Sequence, residues 1–200
     1  MSERWRLFIA VEPPPPVLEA VRGAQNRLKR SVPDGVVRWV RPEGVHLTLK
    51  FLGDVPLSQL DDLQTALAAA TTRPRRFALD VQGVGCFPDT RRPRVVWLGL
   101  GGDLASLSVL QTRVEEYVAP LGYPTEERAF HPHLTLGRAE RRASRDDLAA
   151  LGELVDRTTI GPLADWPVGA LSLVRSQLKP GGAVYTQVHQ FDLESLDDEQ

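Results

Sequence analysis

Four histidines occur in this 200-residue chain, and two of them sit in one repeated tetrapeptide. His46-Leu47-Thr48-Leu49 recurs letter for letter as His133-Leu134-Thr135-Leu136. Successive side chains of an extended strand point to opposite faces. Each copy therefore offers an imidazole and a hydroxyl on one face and anchors two leucines on the other. Two imidazoles titrating near neutrality suit general acid–base chemistry, one acting as base while the other holds a proton. Two hydroxyls set two residues along suit a group with several oxygens. Phosphate answers both needs, because in-line displacement requires a base behind the attacking oxygen and an acid in front of the leaving one. Such a site requires no nucleophilic serine or cysteine, and no metal or organic cofactor is expected.

Other side chains around the motifs have two readings each. Alternation puts Lys50 on the face of His46 and Thr48, either touching substrate or on a solvated rim. Phe8, Phe51 and Trp39 can stack on a base or fill the core. The arginines at 91, 92, 94, 141, 142 and 145 steer a nucleic-acid backbone or decorate loops. His131 stands two before His133, a strand spacing for metal ligands, and His46 could complete a zinc site. The first copy argues against zinc, since Gly44 stands where the second has His131. His189, near the end of the chain, is read as structural.

The totals set bounds. A chain of this length buries a sizeable core as one domain or two joined lobes. The formal net charge of −2 excludes a long polyanion track, so nucleic acid is met locally, at an end. A lone cysteine, Cys86, excludes an intrachain disulfide and fits a reducing cytoplasm. No apolar run approaches a membrane span, and the first residues lack a signal-peptide pattern. The acidic stretch 192–200 reads as a tail.

The elements that must position the histidines follow from patterning. A strand is expected over Arg6 to Val11, and a helix over Pro16 to Arg30 with Val17, Leu18, Val21 and Leu28 inward. Val36 to Val40 reads as a short strand. The first motif strand runs from Val45 to Leu52, and Gly53 ends it. Ser58-x-x-Asp61 has the form of a capping box for a helix reaching Ala70. Strands follow at Arg76 to Cys86 and Arg94 to Leu100. Asp103 caps a helix striped by Leu104, Leu107, Leu110, Val114 and Val118. The second motif strand spans Ala129 to Gly137, and Ser144-x-x-Asp147 opens a further helix. Val168 to Leu178 and Ala183 to Phe191 form a hairpin around Lys179-Pro180-Gly181-Gly182. His133 lies 87 positions after His46, and that shift lays every element of the first half on, or within a few residues of, one of its own kind. The expected fold is α+β, a single bilobal domain over 1–200. It has two pseudo-symmetric lobes of largely antiparallel sheet, each backed by two helices, with the motif strands in a central cleft. The repeats are approximately 6–86 and 94–178, closed by strand 183–191.

The doubled His-x-Thr, the opening Arg6-Leu7-Phe8-Ile9-Ala10-Val11, the segment from His46 to Gly53 and the segment from Phe130 to Arg138 resemble the two-histidine (2H) phosphoesterase superfamily. Within it they look most like the RNA 2′,3′-cyclic phosphodiesterases, historically called 2′-5′ RNA ligases. The resemblance implies that His46 protonates the leaving ribose 3′ oxygen and that His133 activates water. It implies that Thr48, Thr135 and Arg138 bind phosphate oxygens, and that the product is a 2′-phosphomonoester. Expected partners are RNA ends bearing 2′,3′-cyclic phosphate or small nucleotides, with no membrane and no obligatory protein partner, so a monomer. Two rival functions are 2′-5′ ligation or phosphodiester cleavage in the same site, and a non-catalytic RNA-end or nucleotide-binding module. Intact histidines and threonines in both copies speak against the module.

Overall fold

The structure, a computed structural model, describes residues 3–180 and 182–195. The first two residues, Gly181 of the hairpin turn and 196–200 of the acidic stretch lie outside the described residues.

Nine strands are described: β1 (Arg4–Val11), β2 (Val37–Trp39), β3 (Leu47–Pro56), β4 (Phe77–Phe87), β5 (Val95–Gly102), β6 (His133–Ala139), β7 (Asp165–Val168), β8 (Ala170–Lys179) and β9 (Gly182–Asp192). Four helices accompany them: α1 (Pro15–Lys29), α2 (Leu60–Thr71), α3 (Leu104–Val118) and α4 (Arg145–Arg157). The strands form one antiparallel sheet in the order β7-β4-β5-β6-β3-β1-β8-β9, with β2 also alongside β6. Its two halves meet where β3 and β6 pair at Leu47 and Leu134 alone. The α+β architecture, an antiparallel sheet with four helices, is as the sequence implied.

The halves exchange strands. β4, which closes the first sequence repeat, pairs with β5 of the second, and β8 of the second pairs with β1 of the first. Val168 and Leu178, expected in one strand, lie in two. Gly169 separates β7, at the β4 edge, from β8, which crosses to β1.

One contiguous core lies on the helical side of the sheet. It takes in Leu7, Ile9 and Val11 of β1, Leu47 and Leu134 of the junction, and the stripes of all four helices, including Val17, Leu63, Leu110 and Leu151. Burial at each such position contributes about 1.5–3 kcal/mol, which fixes the face of every strand that turns inward. On the opposite face, among the described residues, Phe8, Ala10 and Val174 form a small separate buried cluster.

Helix ends follow local chemistry with one exception. The Asp103 carboxylate accepts the Ser106 N–H at 2.9 Å, and Ser144 and Asp147 form a reciprocal capping box. Ser58 does not cap α2. It is taken up in a 3₁₀ turn, Leu57–Gln59, and α2 starts at Leu60 with Asp61 and Asp62 facing the positive helix end. β3 does not stop at Gly53. That residue adopts φ +72 beside a bulge, and the strand runs on to Pro56. Among the described residues, no helix is long and apolar enough to cross a membrane.

Candidate active site

The two motifs meet because their leucines do. Leu47 and Leu134 are direct partners, both fully buried. Antiparallel pairing then sets His46 opposite Thr135 and Thr48 opposite His133, all on the face away from the core. The histidines are diagonal neighbours across the seam.

Each ring is anchored the same way. His46 Nδ1 donates to the Gly44 carbonyl at 2.9 Å, and His133 Nδ1 donates to the His131 carbonyl at 2.7 Å. A carbonyl only accepts, so the Nδ1 protons are fixed and each Nε2 is left as the working nitrogen. His46 itself sits just before β3, at the end of the 3₁₀ turn Pro42–Gly44, while His133 is the first residue of β6. Aromatic rings brace both. Phe8 lies 4.5 Å from the His46 ring centroid and Tyr185 stands edge-on at 4.9 Å. Phe87 stands edge-on to His133 at 4.9 Å, with Trp97 at 6.2 Å. Trp97 needs Gly85 beneath it, since a Cβ there would lie 2.3 Å from the indole.

Burial governs the electrostatics. Loss of solvation pushes the His46 imidazole down from 6.5 to about 4. The Gly44 hydrogen bond opposes the shift, and the charges of His133 and Arg138 add to it. Burial also lowers His133, again opposed by its carbonyl partner and reinforced by Arg138 and His131. The charges of His133 and Arg138 are both felt at His46, as expected of groups in one cleft.

Strict alternation from His133 would turn Arg138 away, yet Arg138 acts on both imidazoles. A bulge resolves this. Across from β5, Trp97 pairs with Thr135 and Val96 with Gly137, leaving Leu136 as the extra residue. Leu136 and Gly137 are both buried, and Arg138 emerges on the histidine face. The bulge is pinned from α1, where buried Gln25 donates to the carbonyls of Leu136 at 2.9 Å and Val40 at 2.7 Å. The same irregularity in β3 corrects the expectation for Lys50. Ile9 pairs with Lys50 and Ala10 with Thr48, so Leu49 is extra. Lys50 therefore turns inward, ion-paired to Glu115 of α3 at 2.5 Å and donating to the Pro124 carbonyl at 2.8 Å. Its side chain is 2% exposed and is not a substrate contact.

Phe51, the next residue, comes out on the cleft face, 63% exposed, with its ring 6.1 Å from Phe8. Phe8 is buried and supports His46 rather than offering a face to a base. Trp39 packs against the core. His189 packs on Phe191. Among the described residues no three His, Cys, Asp or Glu side chains come together as a metal site. Sequence reasoning missed Gln25, Tyr185, Phe87 and Trp97. A glutamine on the buried stripe of α1 was the one available signal; the aromatic braces come from strands that only tertiary pairing brings near.

The model of LigT-like phosphoesterases matches residues 11–97 and 103–185. An RNA 2′,3′-cyclic phosphodiesterase of Methanothermobacter thermautotrophicus is 34% identical over 188 residues, covering 94% of this chain and 98% of the relative. One from Thermus thermophilus is 33% identical over 193 residues, covering 94% and 90%. A solved protein of Thermus thermophilus superposes with a TM-score of 0.78 at 30% identity over 96% of this chain and 99% of that one. The crystal structure of E. coli LigT with 3′-AMP gives 0.73 at 27% identity, with the same coverage.

Proposed function

The chain belongs to the LigT-like phosphoesterase family, and from that premise we propose that it hydrolyses 2′,3′-cyclic phosphate ends of RNA to 2′-phosphomonoesters. The observation that carries this reading is the pair of imidazoles on one seam, each with Nδ1 tied to a carbonyl and Nε2 free. His133 Nε2 takes a proton from water as its oxygen attacks phosphorus. The bond to the ribose 3′ oxygen breaks on the opposite side, and His46 Nε2 gives that oxygen a proton. Thr48 and Thr135 donate to non-bridging oxygens, and Arg138 offsets the growing negative charge. Phe51 is an exposed ring available to the nucleoside. The site is complete within one chain, so a monomer suffices, and a single buried Cys86 suits a reducing cytoplasm.

The test is product analysis on a short oligonucleotide ending in a cyclic phosphate, with chelator present. The expected product carries a 2′-phosphate. A 3′-phosphate would reverse the leaving oxygen, a joined product would favour ligation, and loss of turnover restored by zinc would favour the metal reading.

The depressed imidazoles give a pH signature. In the free protein both histidines lose their protons below pH 6.5. The reaction needs one proton on the pair. So kcat/KM, which reports free enzyme, peaks below pH 6.5 and falls as pH rises past the higher of the two values. A bound phosphodiester anion favours the protonated ring, so the descending limb of kcat lies at higher pH. Arg138→Ala removes a positive charge and moves the kcat/KM limb upward. A kcat/KM limb unmoved by that substitution would separate Arg138 from the histidines.

A further inference from the structure

The seam that holds the histidines continues one step beyond them. β2 lies beside the far end of β6, with Arg38 directly opposite Arg138, flanked by the pairs Val37–Ala139 and Trp39–Gly137. Directly opposed residues project to one face. Val37 and Trp39 pack with the core, which turns Arg38 to the cleft side, and both arginines are exposed. Like charges directly opposed on a ladder destabilise it. Among the described residues neither guanidinium has a carboxylate partner. Two exposed arginines on directly paired backbone positions at the lip of a phosphate cleft favour a second anion with several oxygens. Arg38 is on β2, beside the end of β6 away from His133, so it stands further along the seam.

We propose that Arg38, together with Arg138, forms a second phosphate subsite that takes the 5′-phosphate of the terminal nucleotide. The proposal rests on the cyclic phosphodiesterase reading above. A cyclic phosphate closes the 3′ end of a chain, so the next phosphate along the backbone is the 5′ one. Binding it makes the protein a reader of strand ends, with free nucleoside cyclic phosphates as poorer substrates.

The experiment compares kcat/KM for a nucleoside 2′,3′-cyclic phosphate with that for the same compound bearing a 5′-phosphate. No base or chain length changes between them. The wild type is expected to favour the 5′-phosphorylated compound by about tenfold to a hundredfold, the scale of a charged hydrogen-bonded contact. Arg38→Ala brings the ratio near one, and Arg38→Lys keeps part of it, retaining charge without the fork. The salt dependence for the 5′-phosphorylated compound becomes shallower in Arg38→Ala. Turnover of the simpler compound reports folding of the same variant, and Arg38→Gln carries the same expectation if alanine unfolds the chain. The proposal is overturned if the wild type shows no preference, or if the variants keep it in full. No turnover of either compound by the wild type removes the phosphodiesterase reading, and this proposal with it.

Discussion

Replacing His133 by alanine is expected to lower kcat for opening a 2′,3′-cyclic phosphate by about 10²–10⁴-fold, and replacing His46 by a similar factor. Neither change touches the core, because both rings lie on the face of the sheet opposite the helices. With Thr48, Thr135 and Arg138 holding phosphate as proposed, KM should move far less than kcat. The two losses differ in kind. An alanine at 46 removes the proton donor, a loss felt least when the leaving oxygen needs no proton. A phosphodiester with an acidic aryl leaving group should therefore recover much of the lost rate in His46→Ala. In His133→Ala the attacking water still lacks its base, and the same substrate should help little. The measurement is kcat on both substrates for both variants, with far-UV circular dichroism to confirm folding. Near-normal activity in either variant would remove that histidine from the chemistry, and recovery in the opposite variant would exchange the two roles.

The largest stability effect is expected at Lys50. Its ammonium and the Glu115 carboxylate are both buried, and Gln111 donates to the second carboxylate oxygen at 3.1 Å. Lys50→Met leaves Glu115 buried without its cation, which costs about 3–5 kcal/mol of folding free energy. Lys50→Met combined with Glu115→Leu removes both charges and should regain most of that loss, because paired burial offsets desolvation only in part. Urea unfolding of the three proteins (wild type, single and double variant) measures both effects. A single variant within about 1 kcal/mol of wild type, the scale of an exposed pair, would mean that water reaches the site and screens the pair. Activity of the double variant on a cyclic phosphate is the second readout. It should stay near wild type, since Lys50 points away from the cleft.

Much of this protein was legible in its residues. Period-two and helical patterning placed nearly all the strands and helices, because burial of Leu, Val and Ile decides which face turns inward whatever the partner. The exact repeat around His46 and His133 marked the candidate site, and the residue types pointed to acid–base work on a phosphate. What single-strand reasoning could not see are features that arise between strands. Both motif strands bulge just after the second leucine, at Leu49–Lys50 and at Leu136–Gly137. Each bulge reverses the alternation beyond it, carrying Lys50 into the interior and bringing Phe51 and Arg138 to the cleft. A bulge is a mismatch in count between neighbours, so it has no meaning for a strand read alone.

The same holds for the Gln25 clamp, the aromatic braces on the histidines, the exchange of β4 and β8 between halves, and the opposed pair Arg38 and Arg138. Sequence by itself determined the two His-x-Thr motifs and the face that their histidines and threonines share. Only tertiary pairing decided which of them stand opposite one another, because register is set by contacts between segments that lie far apart along the chain.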